Sequence, residues 1–176
     1  MDLILIRHTS VEVPPGYAYG QSDVALKSSF KTEALQVKEQ LKNFSFDETW
    51  SSPSSRCLRL AEACDYTDIQ LDKRLMEINF GEWEMKSWQE IYADPRSKNW
   101  FKDWVHVAPP KGESCQQQYK RLQSFIEERK SYGVQRLLVF THGGILALAK
   151  VLIGKCPLEE ALRNIPPYGQ LLQIKY

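Results

Sequence analysis

Two of the three histidines directly follow short apolar runs. Ile6-Arg7-His8-Thr9 comes after Leu3 to Ile6, and Thr141-His142-Gly143-Gly144 comes after Leu137 to Phe140. A neutral imidazole can act as a nucleophile, a base or a metal ligand. A neighbouring arginine and a glycine pair point toward anion chemistry. Arginine presents a planar fork of donors, and glycines that open a helix expose backbone N–H groups at the positive end of its dipole. A third segment, Trp50-Ser51-Ser52-Pro53-Ser54-Ser55-Arg56, has the same form. There a cation falls in the first turn of an expected helix, against the dipole. Arg56 reads either as the partner of an anion or as a solvated surface charge.

These residues need elements to position them. Leu3 to Ile6 and Leu137 to Phe140 have the length and composition of strands buried on both faces, and Phe46 to Trp50 and Leu171 to Ile174 are further strand candidates. Phe30, Ala34, Val37, Leu41 and Phe44 recur at helical spacing, as do Cys57, Leu60, Ala61 and Cys64. Ser114 with Gln117 forms a capping-box signature ahead of the stripe Cys115, Tyr119, Leu122 and Ile126. Gly144 to Ile153 is a mostly apolar helix. Strands alternating with helices predict an α/β fold, with ligands bound at the carboxyl ends of the strands. A lone histidine at such an end is most simply a loop residue; two in matching contexts point to one shared crevice. Residues 85–111 break the alternation with Trp88, Tyr92, Trp100, Phe101, Trp104 and three prolines. They read as an irregular or short-helical insertion, a candidate lid, whose tryptophans either stack on a flat base or form a small satellite core.

Composition narrows the function classes. A chain of 176 residues with 43% hydrophobic residues suits a single globular domain over 1–176. A net charge of +1 gives no global attraction for nucleic acid. No apolar run reaches the roughly 20 residues of a membrane span, and the amino terminus lacks a basic leader. The four cysteines, Cys57, Cys64, Cys115 and Cys156, form no CxxC pair and read as reduced core thiols of a cytoplasmic protein. No HExxH or paired-cysteine spacing suggests a metal centre.

Taken together, Arg7-His8-Thr9, Ser52-Pro53 with Arg56, Leu75-Met76-Glu77 with Phe80-Gly81-Glu82-Trp83-Glu84, and Thr141-His142-Gly143-Gly144 resemble the histidine phosphatase superfamily. The motifs run through nearly the whole chain in that family's order. The resemblance implies a phosphoglycerate mutase-like three-layer α/β/α sandwich with a mostly parallel central sheet. It also implies His8 as nucleophile, Arg7, Arg56 and His142 on the phosphoryl group with the Gly143 backbone beside it, Glu77 as proton donor, and no cofactor. Glu82, Glu84 and Glu113 are the rival carboxylates. Gly16-Tyr17-Ala18-Tyr19-Gly20-Gln21-Ser22-Asp23-Val24-Ala25-Leu26 is similar to the early loop of α-ribazole phosphatases, which sets Tyr19 and Gly20 at the pocket border. Mutases of the family carry asparagine where this chain has Pro14, and His-Gly-Asn where it has His142-Gly143-Gly144. Both departures favour hydrolysis of a small phosphorylated metabolite. A broad-specificity phosphatase, a phosphohistidine-protein phosphatase and a non-catalytic phospho-ligand module are the alternatives. One further departure is Trp83-Glu84-Met85, where many members have Trp-Glu-Gly.

Overall fold

The computed structural model describes residues 1–176. Its core is a five-stranded sheet in the order β3-β2-β4-β1-β5. The strands are β1 (Asp2–Arg7), β2 (Glu48–Ser51), β3 (Gln70–Leu71), β4 (Arg136–Thr141) and β5 (Leu171–Lys175). All neighbours are parallel except the edge pair β1–β5. Both centre strands have apolar residues on each face, as expected of strands covered by helices on both sides.

Alternate residues of those strands feed two separate cores. Leu3, Leu5, Leu137 and Val139 pack with α5 (Cys115–Ser131) and α6 (Gly143–Leu152). Ile4, Ile6, Leu138 and Phe140 pack with α1 (Phe30–Leu41) and α2 (Ser55–Ala63). The period of two along a strand therefore creates the three layers. Helix α5 starts where expected: Ser114 and Gln117 complete a reciprocal capping box.

Several local expectations are corrected. Phe44 lies past the end of α1, because the helix stops at Leu41 and the Phe44 ring instead stacks on Phe46 at 6.0 Å. Phe46 lies outside β2, which begins at Glu48. Cys57, Cys64 and Cys115 are buried free thiols, but Cys156 is only half-buried, past the end of α6.

The insertion forms two short helices, α3 (Trp88–Ala93) and α4 (Ser97–Lys102). They enclose a satellite core of Ala18, Trp83 and Ile91, against which Phe80 and Trp100 pack. Near the carboxyl terminus, the segment 165–170 crosses the sheet's carboxyl edge before entering β5. It is tied to β1 by Gly169 N–H donating to the His8 carbonyl (3.2 Å) and Arg7 N–H donating to the Gln170 carbonyl (3.1 Å).

Candidate active site

Strand register brings the two histidines together. Arg7 pairs with Thr141 across β1–β4, and Ser51 pairs with Phe140 across β2–β4. The next residue of each strand, His8, Ser52 and His142, therefore leaves the sheet at one edge. His8 and His142 are buried, with ring centroids 5.3 Å apart at 68°.

Partners fix the protonation state of both rings. His8 Nδ1 lies 2.8 Å from the Thr9 carbonyl. A carbonyl only accepts, so Nδ1 carries the proton and Nε2 keeps its lone pair. Burial, followed by the charge of Arg56, holds the His8 pKa well below the usual imidazole value, with a smaller contribution from Arg7. A neutral ring with a free nitrogen is the nucleophilic form. His142 is likewise depressed, by burial and then by Arg56. Arg56 Nη2 donates to His142 Nδ1 (3.2 Å), so Nε2 holds the proton and donates to Ser52 Oγ (2.8 Å). Ser52 is held in turn by the amide of Ser54. Both nitrogens of His142 are thus engaged.

Arg56 is fully buried in the first turn of α2, which rules out a solvated surface charge. Its Nη1 donates to the Ser22 carbonyl (2.9 Å) and its Nη2 to the Gly20 carbonyl. Tyr19 covers this guanidinium, with its ring 5.7 Å from Arg56 Cζ. Arg7 is clamped from the carboxyl-terminal segment: Nη1 donates to the Pro166 carbonyl, and the Tyr168 ring lies 3.9 Å from Cζ. The Tyr19 and Tyr168 hydroxyls meet at 2.7 Å, and burial followed by this hydrogen bond pushes the Tyr19 pKa up. Buried Arg7 Nε, Arg56 Nε and Thr9 Oγ1 have no hydrogen-bond partner. An unmet buried donor costs about 1–3 kcal/mol, and of these three residues Arg7 lines the cleft beside His8.

Glu77 faces this group from the opposite wall. Its oxygens accept from Gly144 N–H (2.9 Å), Ile78 N–H (3.0 Å) and Gln118 Nε2 (2.8 Å). The glycine pair has a steric reason beside the one expected. A Cβ at Gly143 would stand 3.0 Å from Arg7 Cζ and 2.4 Å from Ile165 Cγ2; one at Gly144 would stand 2.2 Å from Glu77 Oε1. The glycines make room for the arginine and the carboxylate rather than only for a ligand. Of the rival carboxylates, Glu82 binds Lys111 and Arg96 at the surface and Glu113 binds Arg121. Glu84 turns to the loop at Gly20.

The cleft above His8 is lined by Arg7, Tyr19, Glu77 and Gln118 on its polar side, and by Ile78, Phe80, Trp88 and Ile165 among others on its apolar side. Only Trp88 of the three candidate tryptophans reaches it. Trp100 is stacked beneath Trp88 at 6.0 Å, and Trp104 packs on the main core. Of the two readings of these tryptophans, Trp100 takes the satellite core, while Trp104 belongs to the main core. His106 is exposed and pairs with Asp103. No three His, Cys, Asp or Glu side chains converge as metal ligands.

The sequence profile of the histidine phosphatase superfamily, branch 1, matches residues 3–176. The chain belongs to the histidine phosphatase superfamily. Among curated relatives of this histidine phosphatase, the adenosylcobalamin/alpha-ribazole phosphatase of Escherichia coli K12 is 28% identical over 166 residues, covering 90% of this chain and 82% of that protein. Phosphoserine phosphatase 1 of Hydrogenobacter thermophilus is 32% identical over 148 residues, covering 80% and 70%. The crystal structure of the alpha-ribazole phosphatase from Shigella flexneri superposes with a TM-score of 0.87 at 27% identity, covering 99% of this chain and 90% of that one. The reaction class of this histidine phosphatase is phosphoric monoester hydrolysis.

Sequence reasoning passed over Gln118 and Tyr168. Gln118 left a readable signal, a polar residue in the buried stripe of α5 between Cys115 and Leu122. Tyr168 left none, because its placement over Arg7 depends on how the last segment crosses the sheet.

Proposed function

We propose that this histidine phosphatase hydrolyses α-ribazole 5′-phosphate to α-ribazole and phosphate through a phosphohistidine on His8. His8 Nε2 attacks phosphorus, and the N–P bond forms as the bond to the 5′ oxygen breaks. Arg7 and Arg56 hold the equatorial oxygens, and the first residues of α6 turn their dipole toward the same charge. Glu77, which must enter this step protonated, gives that proton to the departing oxygen. Water then attacks the phosphohistidine, its proton passes to Glu77, and His8 leaves as neutral imidazole.

The observation that carries the substrate is the cleft wall. Beyond Arg7, its lining holds no lysine or arginine, while Tyr17, Ile78, Phe80, Trp88, Leu162 and Ile165 form an apolar face. Phosphoserine and phosphoglycerate carry a carboxylate that would need a second cation. An uncharged riboside with a flat aromatic base matches the wall better. The three buried thiols suit the reducing cytoplasm that this reading assumes.

The test is kcat/KM for α-ribazole 5′-phosphate against L-phosphoserine, 3-phosphoglycerate and ribose 5-phosphate. A preference of tenfold or more for the ribazole ester is expected. Phosphoserine in first place would replace the substrate, and equal slow rates would leave a broad-specificity enzyme.

A further inference from the structure

Arg56 is steered by backbone rather than by a counter-charge. The carbonyls that receive it, on Gly20 and Ser22, sit in a stretch without helix or strand. That stretch is set by one side chain. Glu84 accepts from the amides of Gly20 (3.0 Å), Gln21 (3.0 Å) and Ser22 (3.1 Å), and from the Ser22 hydroxyl (2.6 Å). A fifth donor, the Phe80 amide at 3.0 Å, anchors the carboxylate from its own side. Successive amides converging on one anion form a nest, and the carbonyls of such residues point away from it. Here two of those carbonyls point to Arg56.

The packing leaves this loop little alternative seating. A Cβ at Gly20 would come within 1.7 Å of the Ile78 carbonyl oxygen and 3.0 Å of Glu84 Oε1, so the loop lies flat on the strand of chain that carries Glu77 and Ile78. Burial alone pushes the Glu84 carboxyl up, but the Ser22 hydroxyl and the amides of Gly20, Gln21 and Phe80 more than offset it, so the group ends below the usual carboxylate range. The charge is therefore present at neutral pH to organise the nest.

We propose that Glu84 is a positioning residue that sets the guanidinium of Arg56 through the 20–22 loop. This rests on the assignment of Arg56 to the phosphoryl group. Glu84 itself lines no part of the cleft. Replacing its carboxylate by an amide turns one acceptor into a donor facing N–H groups, and the loop must shift to relieve the clash. A misplacement of about 1 Å in a catalytic group costs on the order of 100-fold in rate.

The experiment is a double-mutant cycle on the full chain with p-nitrophenyl phosphate, whose leaving group needs little help from an acid. Glu84→Gln, Arg56→Lys and the pair are compared in kcat/KM and in the Kd of inorganic phosphate, with melting temperature as the control for folding. Glu84→Gln is expected to lower kcat/KM by about 10- to 100-fold in the parent and by less than about threefold once Arg56 is already replaced. Phosphate affinity should follow the same pattern. Equal fold-losses in both backgrounds would overturn the proposal, as would a loss that Glu84→Asp fails to restore in part. A purely structural role predicts a fallen melting temperature with additive losses. An inactive parent chain, by contrast, would count against the phosphatase mechanism and not against this link.

Discussion

Replacing Gly144 by alanine separates Glu77, the proposed proton donor, from the rest of the site. The added methyl would lie 2.2 Å from Glu77 Oε1, 3.0 Å from Cδ and 3.2 Å from Oε2. Ordinary contact begins near 3.4 Å, so the carboxylate must retreat by about 1 Å. That motion breaks the 2.9 Å bond from Gly144 N–H and strains the 2.8 Å bond from Gln118. The backbone at Gly144 is helical and does not need glycine; alanine there should leave folding unchanged or improve it by up to about 1 kcal/mol. Misplacing an acid by this distance costs on the order of 100-fold, about 2.7 kcal/mol of barrier. The assay compares kcat/KM on an alkyl phosphate, such as ribose 5-phosphate, with p-nitrophenyl phosphate. A loss near 100-fold on the first and under about fivefold on the second is the expected result. Equal losses, or none, would refute the placement of Glu77 as donor. A fall in melting temperature would show that the methyl is accommodated by the helix instead.

Three further outcomes follow from geometry. Tyr168→Phe keeps the ring over Arg7 and should change kcat/KM less than about threefold, whereas Tyr168→Ala should raise KM about tenfold through loss of the stack; comparable damage from both would reject the clamp. His8 and His142 are buried neutral, so the unfolded chain binds more protons below its own imidazole pKa near 6.5. Stability should therefore be full above that value and fall as pH drops from 6.5 toward the lowered native values, by on the order of 1 kcal/mol per histidine at pH 5.5; melting temperatures that stay level from pH 7.5 to 5.5 would contradict it. Met85 has φ of 59° and donates its amide to the Ala18 carbonyl. A positive φ of this kind suits glycine, and Met85→Gly should raise the melting temperature by about 2–4 °C per kcal/mol of strain relieved; a lower melting temperature would show that the half-exposed side chain matters more.

What the sequence made legible was local. Apolar runs marked β1 and β4, and because a histidine directly follows each strand, parallel register alone suffices to bring His8 beside His142. The capping box at Ser114 fixed the start of α5 for the same reason, since both partners lie within four residues. What stayed hidden was non-local. The strap carrying Pro166 and Tyr168 reaches Arg7 across about the length of the chain, and nothing near Arg7 announces it. Glu84 read as a rival acid because its partners at Gly20 to Ser22 lie more than 60 residues earlier. The tryptophans of the insertion were ambiguous from composition, since a ring that stacks on a ligand and one that stacks on Trp88 are spelled alike.

The position of β1 has a consequence for how the chain comes to be folded. It is the first strand made, yet it lies between β4 and β5, the last two. Its neighbours follow it by about 130 residues or more, which at about 5–20 residues per second means a wait on the order of ten seconds or more. During that time Leu3-Ile4-Leu5-Ile6 has neither edge occupied, and it is a short apolar strand of the kind that pairs with other chains. High contact order of this form makes folding slow. His8, just past β1, is seated only when the strap at 165–170 bonds to the backbone of Arg7 and His8, so catalytic competence should follow the synthesis of β5, and a chaperone that shields β1 would have most effect on yield.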